Sequence, residues 1–139
     1  MAVAIVAVSF ASCGNKAADA AKATADSILK KKFNSSWVIF EAHTYSRVKE
    51  HLSSFAESLM NFDHVIVIDI YAAREKNIYG VSEEQIVNKL KEDNVDAIYI
   101  SDYDEIVDYL RKHVKENDII LTLGAGNVTK IAKKLIEDK

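Results

Sequence analysis

The stretch Phe40-Glu41-Ala42-His43-Thr44-Tyr45-Ser46-Arg47 gathers an imidazole, a phenol, a hydroxyl and a guanidinium where a strand-forming run gives way to a helical pattern. A guanidinium at the start of a helix, with an imidazole beside it, suits recognition of a carboxylate or phosphate, because Arg offers paired N–H donors in a fixed fork. A second turn, Gly124-Ala125-Gly126-Asn127, follows another strand-forming run. Its small residues let backbone N–H groups and the positive end of a helix face an anion. Each turn also has a plainer reading. Ser46 is a candidate N-cap with Arg47 in an exposed first turn, and a Gly-Ala-Gly turn alone more often serves tight strand-to-helix packing. A third group, Asp69, Tyr71, Arg74 and Glu75, lies at and after the end of the run 64–71. An Asp there could hold Mg2+ or a polar ligand, or be a satisfied buried carboxylate.

Other chemistries find no support. The glycine turn fits neither GxGxxG nor GxxxxGK[ST], and four glycines without a Gly-Lys pair leave no phosphate-loop ATPase motif. His51, His64 and His113 stand on separate elements without metal-ligand spacing and read as structural or surface residues. A single cysteine excludes an internal disulfide and any Cys-rich metal site. No HExxH, Ser-His-Asp order or nucleophile elbow is present. With a net charge of −3 and Lys30-Lys31-Lys32 as the only basic run, no nucleic-acid partner is expected. No catalytic residue and no metal ligand is assigned.

The elements that must position these turns alternate. Strands are expected at 37–42, 64–71, 97–101 and 118–123, and helices at 17–32, 46–60, from Ser82 to about Glu92, from Asp102 or Asp104, and from Asn127. Ser82 with Gln85 makes a capping box. Val48, Leu52, Phe55, Ala56 and Leu59 form one apolar stripe, and Ile131, Ala132, Leu135 and Ile136 another. Such alternation in 139 residues predicts one α/β domain, a Rossmann-like three-layer α/β/α sandwich around a mostly parallel sheet of about five strands. In such a sheet ligands bind at the carboxyl ends of the strands, where all three turns fall.

Two readings of residues 1–15 stand side by side. Val3, Ile5, Val6 and Val8 are β-branched, as in a covered parallel strand. Phe10-Ala11-Ser12-Cys13 resembles the end of a bacterial lipoprotein signal, although no basic residue follows Met1. The division is therefore 1–15, an apolar first strand or residual leader, and 16–139, the domain proper.

Taken in order, the three motifs resemble the C-terminal domain of the Mur ligases, most of all the alanine-adding branch. Phe40 to Arg47 is similar to an aromatic residue followed by Gln-Pro-His-Arg-Tyr-Ser/Thr-Arg. Ile70-Tyr71-Ala72-Ala73-Arg74-Glu75, followed by Gly80-Val81-Ser82, resembles the Tyr-Ala-Ala-x-Glu segment. Leu121-Thr122-Leu123-Gly124-Ala125-Gly126-Asn127 resembles the strand, Gly-Ala-Gly and helix of the same domain.

The resemblance implies an amino-acid-positioning, nucleotide-closing domain of an ATP-dependent ligase of peptidoglycan synthesis, cytoplasmic and not catalytic alone. His43 and Arg47 would contact the amino acid's carboxylate, with Tyr45, Ser46, Tyr71 and Glu75 lining or supporting that site. Gly124, Ala125, Gly126 and Asn127 would form the loop on the nucleotide side. ATP and Mg2+ would act only in the full ligase, with none bound by this chain alone. Its partners would be the N-terminal and central ligase domains and, through them, UDP-N-acetylmuramate and L-alanine, with no membrane unless Cys13 is lipidated. The departures are Thr44 for an Arg, the negative charge of Glu41, and no counterpart to an Asp-Tyr-Ala/Gly-His-His-Pro segment, since no His precedes His43. They motivate the competing readings: a non-catalytic binding or scaffold module that kept the fold, or a lipid-anchored envelope protein.

Overall fold

Runs of Val, Ile and Leu without proline favour strands buried on both faces, and five of them pair here. The computed structural model describes residues 3–9, 33–124 and 126–137. The expected helix at 17–32, Cys13, the lysine run and Ala125 lie outside the described residues. Strands β1 (Ala4–Ser9), β2 (Ser36–Phe40), β3 (His64–Val67), β4 (Asp96–Tyr99) and β5 (Ile119–Gly124) form one sheet in the order β1-β5-β2-β3-β4. All four pairings are parallel. β2 and β5 lie inside the sheet, and every residue of both is buried.

Side chains of successive strand residues point to opposite faces, which divides the core in two. Val38, Phe40, Val65, Val67, Leu121 and Leu123 face helices α1 (Tyr45–Leu59) and α2 (Glu83–Glu92), meeting Val48, Phe55, Leu59, Ile86 and Leu90. Trp37, Ile39, Ile66 and Ile120 face α3 (Tyr103–His113) and α4 (Thr129–Glu137), meeting Ile106, Leu110, Ile131 and Leu135. The three-layer α/β/α sandwich with a parallel sheet is the expected architecture.

Helix starts follow local chemistry. Gln85 reaches back to accept from the Ser82 backbone N–H at 3.4 Å, as the capping-box spacing predicts. Of the two candidates for the start of α3, Asp102 is the cap, accepting from the N–H groups of Asp104 and Glu105 at 2.9 Å each. Two expectations need correction. Asn127 does not cap α4 but precedes it: its carbonyl accepts from Lys130 N at 2.9 Å, and the helix begins at Thr129. Ile136 is not inward but 56% exposed, because it falls past the edge of the stripe formed by Ile131, Ala132 and Leu135.

The run 64–71 ends as a strand at Val67, four residues early, because the chain bulges. Ile68 N donates to Phe40 O at 3.0 Å and Tyr71 N to Ala42 O at 2.8 Å, so three steps on one side oppose two on the other. The bulge leaves Asp69 exposed and Ile70 in the core, and it carries Tyr71 up to His43 in an isolated parallel bridge.

Leu121 is fully buried in β5 between two strands. Leu121→Ala should lower unfolding free energy by about 3 kcal/mol. Urea titration followed by fluorescence of Trp37, the only tryptophan, measures it.

Candidate functional site

The carboxyl ends of β2, β3 and β5 meet at one rim. From Phe40 the chain runs through Glu41, Ala42 and His43 before α1 starts at Tyr45. Glu41 N donates to Leu123 O at 2.9 Å, extending the β2–β5 ladder past the end of β2. Its side chain, 4% exposed, crosses to the next turn. There Oε1 accepts from Gly126 N at 2.7 Å and Oε2 from Asn127 N at 3.3 Å. Burial holds the Glu41 carboxyl above its usual 4.5, against the lowering pull of the Gly126, Asn127 and Val128 N–H groups and of His43.

Glycine is required at both ends of that crossing. A Cβ on Gly124 would lie 2.7 Å from Glu41 Cβ, and one on Gly126 would lie 2.6 Å from Glu41 Oε1 and 2.9 Å from the Tyr71 ring. The Gly-Ala-Gly turn therefore admits a carboxylate and a phenol ring from its neighbours. Tyr71 in turn stacks on His43, with ring centroids 5.5 Å apart and planes 20° apart.

Thr44, not Ser46, stands at the N-cap of α1, two residues before the expected cap. Its φ of 65° with ψ of 146° is a conformation that a non-glycine residue adopts only under constraint. The constraint is visible: buried Thr44 donates its N–H to Tyr71 O at 2.8 Å. Ser46 is engaged elsewhere, giving its backbone N–H (3.0 Å) and hydroxyl (2.6 Å) to the Glu75 carboxylate. Those bonds at the positive end of a helix hold Glu75 below its usual 4.5. Glu75 reaches Ser46 from a tight turn closed by its own N–H on Ala72 O at 2.9 Å, whose central residues Ala73 and Arg74 have φ of 49° and 75°.

Among the described residues, three buried side-chain polar atoms have no hydrogen-bond partner: His43 Nδ1, Arg47 Nη1 and Thr122 Oγ1. Thr122 lies inside β5, and the other two stand at the rim. Buried donors and acceptors are normally paired, and these two are the rim's exceptions. Tyr45 packs on the core beneath α1 and α2.

The remaining candidates have internal partners. Asp69 accepts from Tyr99 Oη at 2.5 Å and Ser101 Oγ at 2.9 Å. Among the described residues, no group of three or more His, Cys, Asp and Glu side chains could hold a metal ion. His64 stacks on Trp37 at 3.9 Å with Nδ1 2.7 Å from Asp96, and His113 stacks on Tyr109 at 4.1 Å. His51 lies 3.5 Å from Glu50. Sequence reasoning treated Glu41 as a stray charge and missed its span between two turns. An acid ending one strand, opposite two glycines ending another, was the signal available.

A parallel three-layer sandwich with polar turns converging at its strand ends defines a Rossmann-like domain. Residues 4–126 match the family described as Mur ligase, glutamate ligase domain, and the chain belongs to the Mur ligases as their C-terminal domain. Its relatives include UDP-N-acetylmuramate–L-alanine ligase of Caldicellulosiruptor bescii, 47% identical over 78% of this chain and 24% of that protein. The enzyme of the same name from Acetivibrio thermocellus is 37% identical over 85% and 25%. The chain thus spans about a quarter of the length of the relatives it matches. The crystal structure of UDP-N-acetylmuramate-alanine ligase from Thermotoga maritima superposes with a TM-score of 0.71 at 21% identity, over 98% of this chain and 26% of that one. A domain from a Haemophilus ducreyi protein, described as a UDP-N-acetylmuramate:L-alanyl-gamma-D-glutamyl-meso-diaminopimelate ligase, gives 0.64 at 20% identity, over 98% and 90%. At those identities the structures establish the shared fold.

Two tests follow from the strained and charged turns. Arg74→Gly should raise stability by roughly 0.5–1 kcal/mol, since glycine adopts positive φ without penalty; chemical denaturation measures it. Glu75, with a pKa lowered by folding, adds stability that is complete above about pH 4.5 and lost as pH falls through the depressed folded value. Glu75→Gln should therefore melt below the wild type at pH 7, the gap closing in acid.

Proposed function

We infer that the chain positions the amino acid in an ATP-dependent ligase that joins L-alanine to UDP-N-acetylmuramate in peptidoglycan synthesis. It does so in the cytoplasm, together with N-terminal and central ligase domains. The observation that carries this reading is the pair of buried, unpartnered nitrogen atoms, His43 Nδ1 and Arg47 Nη1, at the rim of a Mur ligase C-terminal domain. The relatives that match it at 35–47% identity bear the alanine ligase's name.

Arg47 and His43 would take the carboxylate of L-alanine through charge-assisted hydrogen bonds. Tyr71, stacked on His43, fixes the imidazole plane. Glu75 holds Ser46, the neighbour of Arg47, and so orients the first turn of α1. Tyr45 anchors that turn to the core.

In the full ligase ATP with Mg2+ would supply activation of the sugar-linked carboxylate. This chain's rim does not fit the nucleotide's phosphates: the N–H groups before α4 are held by Glu41 and the first turn of α1 by Glu75. Gly124 to Asn127 would then act on the nucleotide side as a shaped wall rather than as a phosphate cradle.

The test is reconstitution with separately produced N-terminal and central domains of the alanine ligase. Phosphate release from ATP should become dependent on L-alanine and UDP-N-acetylmuramate. Arg47→Ala should raise KM for L-alanine about thirtyfold, the loss of roughly 2 kcal/mol for a hydrogen bond to a charged group. Folded, associated pieces without alanine-dependent turnover would refute the reading.

A further inference from the structure

We propose that Glu41 is a positioning residue: its buried carboxylate latches the β5–α4 turn onto the end of β2 and thereby sets Tyr71 against His43. The consequence for L-alanine rests on the function proposed above; the latch does not.

The argument is one of donors and acceptors. The turn presents two backbone N–H groups, Gly126 and Asn127, to a single side chain. Ionised Glu is acceptor-only and satisfies both. A glutamine of the same length satisfies one and sets its NH2 against the other donor.

The latch is also the wall of the site. Gly126 backs directly onto Tyr71, since a Cβ there would lie 2.9 Å from Tyr71 Cδ2, and Tyr71 stacks on His43 at 5.5 Å. Glu41, Gly126, Tyr71 and His43 form one packed series, so displacement of the turn displaces the imidazole's stacking partner. The titratable groups facing Glu41 are His43 from its own turn and Tyr103 from α3, whose phenol is raised by burial first and then by the charges of Glu41 and Asp69. Because folding raises the Glu41 pKa, ionising it reduces stability as pH climbs from about 4.5 through the folded value.

The first experiment uses the intact wild-type chain, with amide and side-chain carboxyl resonances followed by NMR from pH 7 downward. The Gly126 and Asn127 amides should move with the Glu41 carboxyl, at a midpoint above 4.5. Amides that ignore its titration would overturn the proposal. In Glu41→Gln, exchange at these two amides should quicken about tenfold while the centres of β2 and β5 stay protected. Unchanged exchange would also overturn it. Gly126→Ala, which wedges a methyl between Glu41 and Tyr71, should give the same phenotype, and the double variant should add little to either single one. Fully additive effects would show two independent contacts and no latch. In the reconstituted ligase, Glu41→Gln should raise KM for L-alanine about tenfold, more than it lowers kcat; an unchanged KM overturns the positioning role. If the wild-type assembly shows no alanine-dependent turnover, the ligase reading falls, while the amide measurements still decide the latch.

Discussion

The rim depends on β2 lying between β5 and β3. Parallel pairing puts the carboxyl ends of all three strands at one edge, and each strand must leave that edge through a turn before its helix. Phe40 pairs with Leu123 on one side and Val67 on the other, so residues 41–44 come off the sheet flanked by both other turns. Backbone bonds then continue the two ladders after the strands have ended, through Glu41 to Leu123 and through Tyr71 to Ala42 and Thr44. Side chains from three distant stretches meet because the ladders outlast the strands.

How the rim disposes of its backbone donors decides which ligands suit it. The first N–H groups of a helix lack internal partners and attract anions. Here Glu75 serves α1, Asp102 serves α3, Glu41 serves the turn into α4, and Glu83 in the first turn of α2 accepts from Ile70 N at 2.9 Å. The chain's own acids have taken the places that a phosphate would seek. What stays unpaired is one side-chain nitrogen each, Nδ1 of His43 and Nη1 of Arg47. A small carboxylate suits two such groups better than a polyphosphate, which calls for many N–H donors at once.

Much of this was legible in the sequence, and the failures have physical causes. Periodicity exposed the alternating strands and helices because buried parallel strands are continuous apolar runs, and Ser82-Gln85 and Asp102 declared their helix starts through side-chain chemistry. Residues His43, Tyr71 and Gly126 were picked out separately, and parallel topology brings them together. Thr44 misled because its cap geometry is imposed by a long-range bond to Tyr71 O, while Ser46, the better capping residue by type, is claimed by Glu75 from 29 positions away. The bulge after Val67 was equally hidden, since Asp69 and Ile70 break no composition rule. Glu41 was misjudged for a related reason: the worth of a buried carboxylate lies in its partners, and those are 85 and 86 residues distant.

The two ends of the sheet differ in how backbone conformation is used. At the amino-terminal end, Asn94 and Asn117 take positive φ, as asparagine in connecting turns commonly does, and the polar groups are matched. There Asp63 accepts from Ser36 N at 2.7 Å, and Trp37 Nε1 donates to Asp118 at 3.1 Å. At the carboxyl-terminal end, the positive φ values outside glycine fall on Thr44, Ala73 and Arg74, residue types for which such values cost on the order of 1–3 kcal/mol each. Strained backbone, unpartnered side-chain nitrogens and a carboxyl raised by burial all gather at that end. A sequence selected for stability alone would put glycine at 74 and leave no donor open at 47. Their gathering at one rim is the pattern of a place where strain is kept for function rather than for stability.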